Sequence, residues 1–216
     1  MPIVYRANIH PKGNLGIWKI TEPEAYFIEH LILDESEMEQ LNRIKGFRRL
    51  QWLAGRMLIH LFSERKLRGA VLKDAYGKPH LIESTWEISI SHTDKYAAVL
   101  AAPFAIGVDV QKIDPRMQKV AHKFLHPDEM EFLKNTNDSI LKLHVLWGIK
   151  ESMYKIYSKG ALSWTSNFRV ESFDYKAESP GQLKCSVFDG INQHTFAGHY
   201  FLFDNEVMLT YVQAIH

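Results

Sequence analysis

A single cysteine, Cys185, stands in 216 residues, so no disulfide can form within the chain. With no second thiol and no motif around it, Cys185 reads as a small packed hydrophobe, and a reducing compartment fits. Zinc is not indicated: the pairs His122/His126 and His194/His199 lack an acidic partner at motif spacing. Neither a GxSxG nor a Cys–His nucleophile signature occurs. No run approaches the ~18 apolar residues of a membrane span. Residues 1–16 carry no long apolar core of the kind found in a signal peptide. The expectation is therefore a cytoplasmic protein with no membrane partner. An excess of one charge is missing too. The formal net charge is +1, which gives no general attraction for nucleic acid or anionic lipid, although a local basic patch is compatible with it.

What is present is ordinary soluble composition, 46% hydrophobic and 24% charged. The length holds one large domain or two small ones. Alternation predicts a first strand over Ile3–Asn8 and a short one near Ile17–Ile20. Thr21-Glu-Pro-Glu reads as a helix start, with the helix running through Leu33. A second helix is predicted over Glu35–Arg43. A long core helix follows, in which Leu50, Leu53, Leu58 and Leu61 keep helical period. Lys73–Leu81 is a turn around Gly77 and Pro79. Trp86–Ala102 is a strand, a polar turn at Thr93–Lys95 and a second strand. His126-Pro-Asp-Glu opens another helix. Strands are predicted over Phe168–Tyr175, Leu183–Phe188, His194–Phe203 and Val207–Ile215, with hairpins at Asp189-Gly190 and Asp204-Asn205.

Between the His126 helix and these strands lies His144–Gly160, which reads as a helix with two unlike faces. Leu146, Ile149, Met153 and Ile156 form a core-facing stripe. Trp147, Glu151 and Lys155, four residues apart, stack along another line. Gly160 reads as the stop. Each half of the chain has a long helix, then strands closing in a small apolar run (AAVLAA, later MLTYVQAI). Two similar halves meeting near Pro103 fit this pattern, without enough identity to assert a repeat.

Several residues carry possible chemistry. Asp109 lies inside the apolar strand AIGVDV, where a carboxylate is costly unless paired or metal-bound. Arg48, Arg49 and Arg56 read by themselves as a solvated rim, and His92 as a structural or surface imidazole. As a set they are coherent. Asp109 and Glu151 together suit Mg²⁺, which takes a few carboxylates plus water and phosphate oxygens. Lys78, His92, Lys155 and the arginines suit phosphates. This is the equipment of phosphoryl transfer.

The segments YGKPHL (Tyr76–Leu81), ISISHT (Ile88–Thr93), IGVDVQKI (Ile106–Ile113) and WGIKESMYK (Trp147–Lys155) resemble, in order and spacing, a 4'-phosphopantetheinyl transferase of the Sfp type. KFLHPDEMEFL (Lys123–Leu133) matches a secondary pattern of that family. The resemblance implies an α+β fold of two similar α/β halves related by a pseudo-twofold. It places the halves at residues 1–103 and 104–216, with the ligand cleft between them. It implies Mg²⁺-dependent transfer of phosphopantetheine from coenzyme A (CoA) to a serine of an apo acyl or peptidyl carrier protein, by a monomer. Asp109 and Glu151 are then metal ligands, and Glu151 is also the base for the carrier serine. Lys155 meets the pyrophosphate of CoA. Lys78, Pro79, Ser91 and His92 hold its phosphates and adenosine end, with Arg49 and Arg56 favoured for the 3'-phosphate. Trp147 becomes a packing residue.

One departure stands out. The family usually has Glu two residues after the motif Asp; here that residue is Gln111. Its amide oxygen can serve as a third ligand, or a water can take the place, but one negative charge is lost, so weaker Mg²⁺ affinity is expected rather than lost activity. A protein that binds CoA or a carrier with weakened catalysis is the alternative reading.

Overall fold

The computed structural model describes residues 3–63, 69–134, 138–157, 162–176 and 179–215. The chain divides into two compact units, Met1–Phe104 and Ala105–His216.

The first unit begins with β1 (Ile3–Asn8) and β2 (Asn14–Lys19). Three helices follow: α1 (Glu24–Leu31), α2 (Glu35–Arg43) and α3 (Arg48–Phe62). The unit ends with β3 (Val71–Lys73), β4 (Pro79–Leu81), β5 (Glu87–Thr93) and β6 (Tyr96–Ala102). Helix α1 starts later than Thr21, because Pro23 sits in the extended conformation at its N-cap (φ −72°, ψ 161°). The strands form one antiparallel sheet in the order β1-β2-β6-β5-β4-β3. Leu53, Ala54, Met57, Leu58 and Phe62 of α3 pack with Phe27, Leu31, Val99 and Ala101 into its core.

The second unit begins with β7 (Ile106–Lys112), then the short helices α4 (Met117–Val120) and α5 (Pro127–Glu131), then the long α6 (Ser139–Tyr157). Strands β8 (Phe168–Val170), β9 (Gly181–Phe188), β10 (Gln193–Phe203) and β11 (Val207–Ala214) complete it. The sheet is antiparallel, ordered β7-β11-β10-β9-β8. The β10–β11 hairpin turns on Asp204 (φ 50°) and Asn205 (φ 54°), a left-handed pair closed by the Glu206 N–H on the Phe203 carbonyl, in a loop of three residues between the paired Phe203 and Val207. Gly160 lies outside the described residues.

With β1 set aside, the two sheets share one strand order. The orders β2-β6-β5-β4-β3 and β7-β11-β10-β9-β8 are the same path, with helices inserted after the first strand each time. The halves are therefore similar in topology despite their dissimilar sequences, and the fold is α+β. The small apolar runs on β6 and β11 occupy the same place in each sheet.

In helix α6 the expected stripe of Leu146, Ile149 and Met153 is fully buried and Trp147, Glu151 and Lys155 are half-buried, but burial reaches beyond the stripe to Lys142, His144, Lys150 and Ser152. Lys150 is fully buried. Its ammonium donates to Glu129 Oε2 (2.6 Å), the Phe124 carbonyl (2.7 Å) and the Trp164 carbonyl (3.0 Å), which uses all three of its protons. Glu129 in turn accepts the backbone N–H groups of His126 and Val170. This knot ties α5 and β8 to α6. Trp147 packs between the rings of Phe124 (4.8 Å) and Trp164 (5.1 Å), the packing role expected of it.

Candidate functional site

Strand alternation puts Gly107, Asp109 and Gln111 on one face of β7, and that face meets α6. A Cβ on Gly107 would overlap the Ser152 carbonyl oxygen, so the missing side chain is what lets the helix come this near. Gly148, one turn earlier on α6, does the same for Gln111. A Cβ there would stand 2.8 Å from Gln111 Nε2. The strand's polar side chains thus lie against the helix line His144, Gly148 and Ser152. The neighbouring line, Glu151 and Lys155, flanks them.

Asp109 is 8% exposed. Its burial is offset by Lys155, whose Nζ donates to Asp109 Oδ1 at 2.9 Å and to the Val108 carbonyl at 2.7 Å. Glu151 feels the same anion. Burial first, then the Asp109 carboxylate, push Glu151 up to about 7, while Lys155 pulls it the other way. Two acids near enough to disturb one another, in a setting short of water, leave an electrostatic deficit that a cation would relieve.

Gln111 presents its amide nitrogen, not its oxygen, toward Asp109. Its Nε2 donates to Asp109 Oδ2 (3.3 Å) and to the His144 carbonyl (3.2 Å). Its Oε1 lies 2.8 Å from His144 Nδ1. His144 is 1% exposed, and burial lowers its basicity. Among the described residues no group of three or more His, Cys, Asp or Glu side chains forms a metal cluster. Mg²⁺ does not require one: it is held by one or two carboxylates with water and phosphate oxygens completing the shell. The Asp109–Glu151 pair, all hard oxygen donors, fits that pattern.

In the first unit the predicted residues part company. A cavity of about 710 Å³ is lined by Arg43, Arg48, Arg56, Lys73, Trp52, Pro79 and His92, a volume usual for a small-molecule site. Arg56 is 4% exposed. It stacks 4.3 Å above the Trp52 ring and stands 3.6 Å from Glu37. Arg48 donates to His92 Nδ1 at 3.0 Å. Since a guanidinium has no lone pair to offer, that ring nitrogen carries no proton.

Arg49 is directed elsewhere. It makes a two-point contact with Glu24 (2.8 and 2.6 Å) and also donates to the Leu41 and Ile44 carbonyls. Four of its five donors are thereby committed. Lys78 pairs with Glu87 at 2.9 Å. Ser91 lies on the strand face opposite His92. None of these three lines the cavity.

Two residues escaped the sequence reading. His144 was legible in principle, since His, Gly and Ser at residues 144, 148 and 152 mark a helix line pressed against another element. Lys150 was legible only as the partner of the capping-box Glu129.

A family model described as the 4'-phosphopantetheinyl transferase superfamily matches residues 105–212, half of the chain. The chain belongs to this superfamily. The matched portion contains Asp109, Gln111, His144, Glu151 and Lys155. The chain is also 30% identical over 101 residues to the 4'-phosphopantetheinyl transferase gsp of Aneurinibacillus migulanus, covering 46% of this chain and 42% of that protein. It is 26% identical over 118 residues to the 4'-phosphopantetheinyl transferase of Bacillus subtilis, covering 53% and 50%. The chain thus spans about half the length of these curated relatives. No helix among the described residues is long and apolar enough to cross a membrane.

Proposed function

We propose that this chain is a phosphopantetheinyl transferase of the Sfp type. It moves the 4'-phosphopantetheine group of CoA to a serine of an apo acyl or peptidyl carrier protein and releases adenosine 3',5'-bisphosphate. The observation that carries this reading is the convergence of Asp109, Glu151 and Lys155 within the portion matched by the superfamily.

The serine Oγ bonds to the phosphorus of the pantetheine-side phosphate. The pyrophosphate P–O bond breaks, and its electron pair leaves with adenosine 3',5'-bisphosphate. The serine proton passes to Glu151, directly or through water. Asp109 and Glu151 would hold Mg²⁺, which supplies positive charge to the pyrophosphate oxygens. Lys155, already at Asp109, adds a second positive charge there. The basic cavity of the first unit, with Arg48, Arg56 and His92, suits a phosphate of the adenosine end, and Trp52 suits a base. A cytoplasmic monomer is the form proposed.

The weakened reading, a CoA- or carrier-binding protein with little catalysis, draws on the orientation of Gln111, which leaves two carboxylates for the cation. Mass spectrometry of an apo carrier protein incubated with CoA and Mg²⁺ separates the two. Transfer adds one phosphopantetheine, and Glu151→Ala stops it. CoA binding by calorimetry without that mass gain favours the binding protein. Neither binding nor mass gain refutes both.

A further inference from the structure

The amide of Gln111 meets three partners, and together they decide which way round it stands. The His144 carbonyl and Asp109 Oδ2 are both acceptors, at 3.2 and 3.3 Å from the same Gln111 atom. Only an NH₂ satisfies them; an oxygen there would face two other oxygens. The third partner is the His144 ring. His144 Nε2 lies 2.9 Å from the backbone nitrogen of Asp114 and 3.3 Å from its carbonyl oxygen; the nearer N–H takes it as an acceptor, so in the neutral ring that nitrogen is the bare one and Nδ1 carries the proton. Nδ1 then donates to Gln111 Oε1 at 2.8 Å. For the neutral ring, which burial favours, every bond in this chain has a donor and an acceptor in only one arrangement.

We infer that Gln111 is a positioning residue for Asp109, locked by His144, and that its oxygen is not a ligand of the cation. Asp109 is held at both oxygens, Oδ1 by Lys155 (2.9 Å) and Oδ2 by Gln111 (3.3 Å). Its carboxylate cannot swing without losing one or the other. Gly148 leaves the space that the Gln111 amide fills. Turning the amide oxygen toward Asp109 would break three hydrogen bonds at once, two of them to groups buried with His144, which is 1% exposed. Where the resemblance leads one to expect a carboxylate, this chain has a half-buried donor, and His144 fixes its direction. This rests on the proposed reading of Asp109 and Glu151 as the cation site.

The test has a metal-free arm and a metal arm. In the first, ¹⁵N-histidine NMR of the full chain without metal reports the His144 tautomer. The expected signature is a proton on Nδ1 and a bare Nε2. It should persist in His144-intact controls such as Glu151→Gln and be perturbed by Gln111→Met. A proton on Nε2 would overturn the lock.

In the second arm, Mn²⁺ binding is followed by the loss of its free EPR signal. Wild type binds Mn²⁺ and Glu151→Gln does not. Gln111→Met and His144→Phe each weaken binding roughly tenfold, the usual effect of losing an outer partner of a ligand. The double variant is no weaker than either single. His144→Asn, whose amide can again donate to Gln111, restores most of the affinity. If His144→Phe leaves binding unchanged or tightens it while Gln111→Met weakens it, the oxygen of Gln111 was a ligand and the inference is wrong. If wild type binds no Mn²⁺, the cation reading fails, and the NMR arm still decides the lock. Circular dichroism checks that each variant is folded.

Discussion

Replacing Glu151 with glutamine should make the metal-free protein more stable while stopping transfer. The carboxyl titrates at about 7 instead of its ordinary 4.5, because of burial and then the Asp109 carboxylate. Between those two values the folded chain keeps a proton that the unfolded chain has lost. Stability from this group is therefore complete below pH 4.5 and is lost as pH rises through about 7. At about 1.4 kcal/mol for each pH unit, the loss approaches about 3 kcal/mol. Glutamine is nearly the same shape and cannot ionise, so Glu151→Gln escapes it.

Urea titrations of the two proteins at pH 5 and pH 8, without metal, read the difference directly. The variant is expected to be about 3 kcal/mol more stable at pH 8 and less than about 1 kcal/mol more stable at pH 5. That corresponds to roughly 6–12 °C in thermal midpoint for a chain of this size. Mg²⁺ should then raise the pH 8 midpoint of wild type and leave the variant where it was. Equal stabilities at pH 8, or a gap as wide at pH 5, would refute the account of Glu151.

Other outcomes follow from the same structure. Glu129→Gln leaves the fully buried Lys150 ammonium without its countercharge and is expected to cost about 3–5 kcal/mol, read as a lower denaturation midpoint at neutral pH. Gly107→Ala drives a methyl into the Ser152 carbonyl; a loss of about 3 kcal/mol or more is expected, with transfer falling as α6 shifts from β7. Gln111→Glu sets a carboxylate against Asp109 and the His144 carbonyl, so the metal-free protein should be less stable and bind Mg²⁺ more tightly; an unchanged Mg²⁺ dependence of the transfer rate would contradict this. Arg56→Ala and Arg48→Ala should raise KM for CoA roughly tenfold or more, the worth of a charge-assisted hydrogen bond. Whichever arginine meets the 3'-phosphate should also lose its preference for CoA over 3'-dephospho-CoA.

Much of this was legible along the chain. Period and turn chemistry placed β5 and β6 on either side of Asp94. They also placed the Asp204-Asn205 hairpin and the helix start at His126-Pro127, because each depends on residues adjacent in sequence. Asp109 announced itself as an acid in an apolar strand, and Glu151 with Lys155 as a line on one helix. Local pattern failed where a distant partner decides. The arginines of α3 look alike in sequence, yet Glu24 claims Arg49, and the cavity is lined by Arg48 and Arg56. On α6 only the apolar stripe read as core, yet Glu129 and two carbonyls surround a buried Lys150.

The sequence by itself determined the elements, the order of the strands' polar and apolar positions, and the identity of the acids and bases, since these follow from short-range geometry and residue chemistry. Only the tertiary structure decided what each acid or base touches. Which way the Gln111 amide faces, and how far Glu151 is raised, are set by neighbours dozens of residues away along the chain. A hydrogen bond's direction and a carboxyl's affinity for its proton are properties of surroundings, and those exist only once β7 and α6 are packed together.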